Sequence, residues 1–527
     1  VQRRRKVTRV GDYLDESLRK IAKGAGIGFI GTFLGLALGY LSRMIIARWL
    51  GSADYGLINI GFAVMTIGAT LSLLGLPSGI ARFVSFYKGR GDRGRIKGTI
   101  ISALKISIPI SLIITLFIFL FADWISANVF HEPRLTPVLR IFSVGIPFLV
   151  LSSNFIAVTI GFQDLRYRVF VNDLFQNIFK LITILVLLLL GFGVLGATLG
   201  WVLAVILMPI LAFYFLRKVF PFNEIKAIPV ERELLSFSLP LIFAGLAGLI
   251  ASWTDTLMLG YFMTASDVGI YNAALPTARL LSVFLGSFGT IFMPVASELY
   301  SRNAMEDLRI AYSVVTKWIF SFILPLFLLM TLFPGWMLEI MFGSEYVVAA
   351  KTLSILAFGY LIISTIGPTT HVLQAYGKTK IIMACSFFGA GMNFALNYFL
   401  IPLYGVTGAA IATSTSIGLA SVLQSLFLYR IGKVQPFRRS FIKPFFASII
   451  SLLIVYSITK TIVGTSLLSL IIMFFIFLLL YFSLLLLFKS FDNEDLIIMM
   501  AIAQRLETKS EKVRRVIQKF CEFLSGK

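Results

Sequence analysis

Fourteen apolar stretches, each long enough to cross a bilayer as a helix, decide what this chain can fold into. They occupy residues 25–47, 57–85, 98–122, 137–160, 169–191, 194–216, 234–259, 269–297, 309–333, 351–373, 379–402, 405–428, 442–463 and 466–488. Crossing the hydrocarbon core takes roughly 20 apolar residues in a helix. In that solvent every backbone N–H and C=O must be satisfied internally, which leaves helices or closed barrels. The roughly 10-residue alternating segments of a barrel are absent. The sequence therefore predicts an all-α polytopic membrane protein with fourteen transmembrane helices. Only 14% of its residues are charged, and 58% are hydrophobic, against about 25% charged in soluble domains. The first stretch is too long for a signal-peptide core and has no small-residue cleavage site after it, so it is expected to be retained.

A net charge of +22 would suggest nucleic acid in a soluble protein. Here the cations segregate instead. Arg3, Arg4, Arg5 and Lys6, the run Lys88 to Lys97, the run Arg430 to Lys443 and the tail all fall on one side. The opposite side holds Arg48, Arg134 and, at the end of span thirteen, Lys460. The positive-inside rule places both termini in the cytoplasm of a cell membrane. The charge is thus mainly a topology signal, with some attraction to anionic membrane lipids, and nucleic acid is not an expected partner. Cys385 and Cys521 make no disulfide framework or zinc site.

The chain also repeats itself. Ala53-Asp54-Tyr55-Gly56-Leu57-Ile58-Asn59 and Ser266-Asp267-Val268-Gly269-Ile270-Tyr271-Asn272 share the pattern small-Asp-x-Gly-aliphatic-x-Asn at an offset of 213. Gly193-Val194-Leu195-Gly196-Ala197 and Gly405-Val406-Thr407-Gly408-Ala409 match at 212, as do Lys105 and Lys317. Gln163 with Gln374, and Arg140 with Lys351, match at 211. Six spans per copy return the chain to the same side, so the copies are parallel and related by an axis along the membrane normal. The expected layout is a basic cytoplasmic N-terminus (1–24), an N-lobe of spans one to six (25–216), a cytoplasmic linker (217–233), a C-lobe of spans seven to twelve (234–428), an accessory pair (429–488) and a cytoplasmic tail (489–527). In the tail, Val513, Val516, Ile517, Phe520, Phe523 and Leu524 recur at helical spacing among Lys512, Arg515 and Lys519, the pattern of an amphipathic helix on the membrane surface. Two such lobes leave a cleft, and their rocking gives alternating access. A channel would more usually show a filter loop or a ring of like charge.

Particular residues carry a family likeness. Ala47-Arg48-Trp49-Leu50-Gly51 followed by Asp54-Tyr55-Gly56 resembles the start of polysaccharide transporters in the multidrug/oligosaccharidyl-lipid/polysaccharide exporter superfamily. So do Asp255-Thr256-Leu257-Met258-Leu259-Gly260, Phe342-Gly343-Ser344-Glu345-Tyr346 and Gly405-Val406-Thr407-Gly408-Ala409-Ala410. The resemblance covers nearly the whole chain, including the extra pair of spans that lipid-linked glycan flippases possess and twelve-span drug exporters lack. It implies a lipid-linked oligosaccharide as substrate and glycan polymerase or ligase machinery as neighbours.

Charges inside the spans point to the same chemistry. An ionisable side chain at mid-membrane costs about 2.5–3.5 kcal/mol on insertion scales, so each needs a reason. Lys180 shares one face of span five with Asp173, Gln176 and Asn177; that stripe lines a cavity or glues packed helices. Asn393 and Asn397 hold a similar depth in span eleven without the charge. Arg279 in span eight lines the cleft or binds carbonyls freed by Pro276. Arg43 and Asp255 stand at near-equivalent places with opposite signs, as an outward gate or ion-coupling pair would, and Asp173 is a second candidate carboxylate for coupling. Asp255 has the rival reading of a structural acid at a helix end. Arg48 snorkels to the outer surface. Lys105 and Lys317 snorkel to, or flank, the inner mouth. Arg43, Arg48, Lys180, Arg279, Lys105 and Lys317 together suit a phosphate or pyrophosphate head group.

No phosphate-cradling Gly loop with Lys-Ser/Thr occurs, which disfavours an ATPase within the chain. The two histidines, His131 and His371, have no zinc spacing, and no cofactor or enzymatic activity is expected. The expected function is a flippase for a polyprenyl-linked oligosaccharide. The alternatives are a proton- or sodium-coupled drug exporter of the related multidrug and toxin extrusion (MATE) type, and a membrane scaffold of a glycan-assembly complex.

Overall fold

The computed structural model describes residues 2–222, 225–436, 441–462, 467–488 and 490, with side-chain environments from Gly31 onward except at 243–247, 456 and 458–474. The basic N-terminal side chains, the amphipathic tail and Cys521 therefore lie outside the described side chains. Among the described residues sixteen α-helices follow one another, in order α1 Gln2–Leu73, α2 Leu76–Gly89, α3 Arg93–Trp124, α4 Leu135–Gly161, α5 Arg166–Arg168, α6 Gln176–Leu189, α7 Gly193–Val219 and α8 Glu231–Phe262. The remainder are α9 Ala265–Ser301, α10 Met305–Leu332, α11 Pro334–Phe342, α12 Ala350–Ile366, α13 Thr369–Ala375, α14 Thr379–Gly432, α15 Ile442–Ile462 and α16 Leu467–Leu487. Helices cover the described parts of all fourteen apolar stretches, with short interruptions in spans two and ten. Among the described residues nine helical segments are long and apolar enough to cross a membrane. The protein is an all-α, multi-pass membrane protein.

Local chemistry explains where the chain turns. Asp92 caps α3, its carboxylate accepting from the Arg95 N–H at 2.9 Å, which satisfies one of the free donors at the helix start. Thr264 and Asp267 form a reciprocal cap at the start of α9. The Thr264 N–H and hydroxyl donate to Asp267 Oδ2 at 3.1 and 2.6 Å, and the Asp267 N–H donates back to Thr264 Oγ1 at 3.3 Å. One Asp of the repeated motif is thus a helix cap; its counterpart Asp54 instead accepts from Arg134 at 3.2 Å. The glycines that open spans six and twelve are also matched. Gly193 and Gly405 both have φ +53°, a left-handed conformation that side-chain-bearing residues rarely hold. The repeat seen in the sequence is a repeat of backbone conformation.

The packing divides the chain into two units, Val1–Gly269 and Ile270–Lys527. Within the first, Phe62, Phe142 and Trp201 form an aromatic cluster with centroids 4.5–6.3 Å apart. The described linker residues Phe222, Ile225 and Ile228 lie along α3. Lys97 Nζ donates to the carbonyls of Phe222 and Ile225 at 3.1 and 2.8 Å, and the Ile228 N–H donates to Gly94 O at 3.1 Å. Within the second unit, α15 and α16 dock on α10. Tyr481 donates to Ser321 O at 2.9 Å, and Val455 and Phe477 pack with Leu328, Leu452 and Leu480.

Candidate functional site

The polar stripe of span five is positioned by glycines on α1. Gly31, Gly35 and Gly39 recur every four residues and so share one helical face. A methyl group on Gly35 would lie 2.7 Å from Asp173 O, one on Gly39 would lie 3.2 Å from Asn177 Oδ1, and one on Gly31 would overlap Val169. Small residues at this spacing let membrane helices approach backbone to backbone. The approach meets a π-helical segment, Val169–Phe175, that leads into α6. Such widened turns re-aim side chains and recur at functional sites.

Lys180 stands at the end of this stripe, only 5% exposed. Its ammonium donates to Asn177 Oδ1 at 2.9 Å and lies 4.7 Å from the centroid of the Trp201 ring, a cation–π contact. Asn177 is held in turn by its own donation to Asp173 O at 2.9 Å. The ammonium has three N–H bonds, and Asn177 takes one of them. Arg43 lies one turn beyond Gly39 on α1, half-buried and close enough for its charge to act on Lys180. The buried ammonium thus sits against an indole face, with the charge of Arg43 on a second helix within electrostatic reach. Asp173 does not neutralise them; its Oδ2 accepts from Thr32 Oγ1 at 2.9 Å. Gln176 is half-buried on the same helix.

Arg48 is exposed beside the Gly51 kink of α1. Asp255 is buried in α8 at 3% exposure. In the second unit Arg279 is exposed on α9, and its Nε donates to the Tyr360 hydroxyl at 3.1 Å. Asn393 donates to Thr413 Oγ1 at 3.0 Å, which ties the two halves of α14 together across the Gly405 kink, and Asn397 donates to Asn393 Oδ1 at 3.2 Å. The repeat-related lysines differ. Lys105 is exposed, whereas Lys317 is buried and donates to the Ser490 carbonyl beyond α16 at 3.1 Å. Glu132 belongs to an ion-pair group with Asp54, accepting from Arg134 Nε at 3.1 Å. Trp201, Tyr360 and the glycines of α1 escaped the sequence reading, although the four-residue spacing of Gly31, Gly35 and Gly39 was a readable signal.

Residues 21–300, more than half of the chain, match the family described as polysaccharide biosynthesis protein. The chain belongs to that family. Within the polysaccharide biosynthesis protein family and its exporter superfamily, residues 240–399 also match the MatE family. The chain is 27% identical over 477 residues to an uncharacterized membrane protein of Methanocaldococcus jannaschii, covering 86% of this chain and 92% of that one. It is 26% identical over 407 residues to the probable low-salt glycan biosynthesis flippase Agl15 of Haloferax volcanii, covering 76% of this chain and 82% of the relative. The fold is similar to that of the lipid II flippase MurJ in its inward closed conformation, with a TM-score of 0.69 and 18% identity over 87% of this chain and 98% of that one.

Proposed function

We propose that the protein is a flippase that carries a lipid-linked oligosaccharide, on a polyprenyl phosphate or pyrophosphate, from the inner to the outer leaflet of the cytoplasmic membrane. Two lobes of six spans alternate access around a central cleft, both termini are cytoplasmic, and spans thirteen and fourteen are an accessory pair beside the lipid tail. The observation that carries this reading is the buried Lys180 ammonium on the Trp201 ring, with Arg43 within electrostatic reach. Two cations in low dielectric attract a phosphate strongly. Family membership and the likeness to the flippase Agl15 support the same substrate class. Arg279 is proposed as the matching cation of the second lobe. Asp255 and Asp173 are the proposed carboxylates for gating or ion coupling, and Arg48, Lys105 and Lys317 act on the head group near the two mouths. Glycan polymerase or ligase machinery would receive the product.

Purified protein in vesicles with a panel of polyprenyl-linked glycans tests the proposal. Wild type moves at least one of them to the opposite leaflet, and Lys180→Ala slows that movement by tenfold or more, on the order of one lost charge-assisted hydrogen bond. Equal transport by the two, at equal folded amounts, would remove Lys180 from the head-group site.

The match of residues 240–399 to the MatE family favours a second reading, a cation-coupled drug exporter. Resistance of a sensitive host to cationic drugs, with no glycan-lipid movement in vesicles, would select it.

A further inference from the structure

Span ten is interrupted. α12 stops at Ile366, Gly367 takes φ +82°, Pro368 brings no N–H, and α13 begins at Thr369. A break at membrane depth persists where neighbouring protein or a polar cavity satisfies the freed backbone groups. α10 supplies part of this. The Tyr312 hydroxyl donates to Ile366 O at 2.6 Å and lies 2.8 Å from Thr369 Oγ1. Thr316 sits so close to Gly367 that a methyl group there would overlap it.

Beside the break is a cavity of about 60 Å³ whose polar lining is Thr369, Thr370, His371, Ser421 and Gln424. Thr370 Oγ1 donates to Gln424 Oε1 at 2.7 Å, which ties α13 to α14. His371 is the one titratable side chain among the lining residues. Its ring lies against α9, where a methyl group on Gly289 would overlap it. The imidazole is therefore a wedge between α9 and the broken span.

The charged groups of the surrounding helices are spent elsewhere. Arg279 of α9 bonds Tyr360, Arg309 of α10 bonds Gly432 O, and Lys317 bonds Ser490 O. Between Arg279 and Glu298, between Lys351 and the break, and between Lys380 and Arg430 the facing helices carry no charged residue. Tyr312 reaches the cavity only through Thr369. A proton added to His371 converts a ring with one donor and one acceptor into a cation with two donors. It would meet hydroxyl and amide oxygens but no carboxylate among the lining residues.

We infer that this cavity is a proton-binding site centred on His371, and that loading it moves the break between α12 and α13. The proton adds to the neutral imidazole and leaves from it; nothing else is exchanged. The inference deepens the transport reading by naming a coupling ion and its place, and rests on that reading only for the use made of the movement.

Histidine occurs twice in the chain, so His131→Gln leaves a single imidazole to follow by nitrogen-15 NMR in the full-length protein in nanodiscs. Cysteines replacing the exposed Phe358 and Lys380, in a Cys385→Ser, Cys521→Ser background, take spin labels that report the distance across the break. The His371 resonance is expected to titrate, with a shift of the distance distribution at the same midpoint. His371→Gln and His371→Asn are expected to abolish that shift. A shift that survives both variants, or an imidazole that does not titrate, overturns the inference. A pH-dependent shift in a protein that moves no glycan lipid in vesicles would support the proton site and count against the flippase reading.

Discussion

Gly56 and Gly269, the matched glycines of the two repeat copies, meet backbone to backbone. A methyl group on Gly56 would overlap Ala265 O and lie 3.0 Å from the Gly269 N, and one on Gly269 would overlap Ser52 O and lie 3.1 Å from the Gly56 N. The Ser52 and Ser266 hydroxyls share a hydrogen bond of 2.6 Å beside the pair. The contact is therefore nearly symmetric, each copy presenting its glycine to the backbone that precedes the other. Gly56→Ala or Gly269→Ala is expected to destabilise the protein by about 1–3 kcal/mol through overpacking. Gly89→Ala, where nothing lies within 4 Å, is the control. Thermal unfolding in detergent measures all three, and equal melting of Gly56→Ala and the control would count against the close contact.

Lys180 separates a functional charge from structural glue. A buried cation can often be replaced by an apolar side chain of similar volume without loss of stability. Lys180→Met is expected to melt at or above the wild-type temperature while transport falls. A melting point several degrees lower would instead mark the Lys180–Asn177–Trp201 contacts as packing glue. Melting curves and vesicle transport on the same preparations decide between the two.

Much of this was legible because the bilayer imposes simple rules. Apolar run length gave the helices, and the repeat offset led to Gly193 and Gly405 with the same φ and to the Gly56–Gly269 contact. The stripe of Asp173, Asn177 and Lys180 was visible as a helical face. Its partner was not, because which helix covers a face depends on packing between elements far apart in the chain; Gly35 meets Asp173, 138 positions further along. The unequal fates of Lys105 and Lys317 were likewise hidden. Equal residues in equal repeats differ here because Ser490, just beyond α16, supplies a carbonyl to one of them.

The loop after α4 carries a pH-dependent contact. Arg166 Nε and Nη2 donate to the two carboxylate oxygens of Asp164 at 2.9 and 2.6 Å, and the Arg166 N–H donates at 3.1 Å. These hydrogen bonds hold the Asp164 carboxyl below its ordinary value against the opposing effect of burial. A depressed folded value means the contact stabilises fully above the unfolded pKa, about 3.9, and is lost as pH falls through the lower folded value. Asp164→Asn is therefore expected to narrow its stability gap to wild type as pH drops from about 5 towards 3. Arg166 is largely exposed, so the gap is small. Melting temperatures across that range check the direction, and a gap that widens on acidification would contradict it.

The accessory pair is fastened to α10 by polar contacts within an apolar seam. Tyr481 is fully buried and donates to Ser321 O at 2.9 Å, and the buried Lys317 donates to Ser490 O at 3.1 Å. Tyr481→Phe removes one neutral hydrogen bond and is expected to cost about 1 kcal/mol. Lys317→Ala costs more, because it removes a charge-assisted bond and the aliphatic stem packed at the seam. Lys105→Ala, at the matching but exposed position, is expected to stay within about 0.5 kcal/mol of wild type. If the two lysines acted only as a symmetric pair at the inner mouth, their alanine variants would lose stability equally and differ only in transport. Unfolding of both, followed by vesicle transport on the folded fraction, distinguishes a helix fastener from a head-group contact, because only the first changes the melting point.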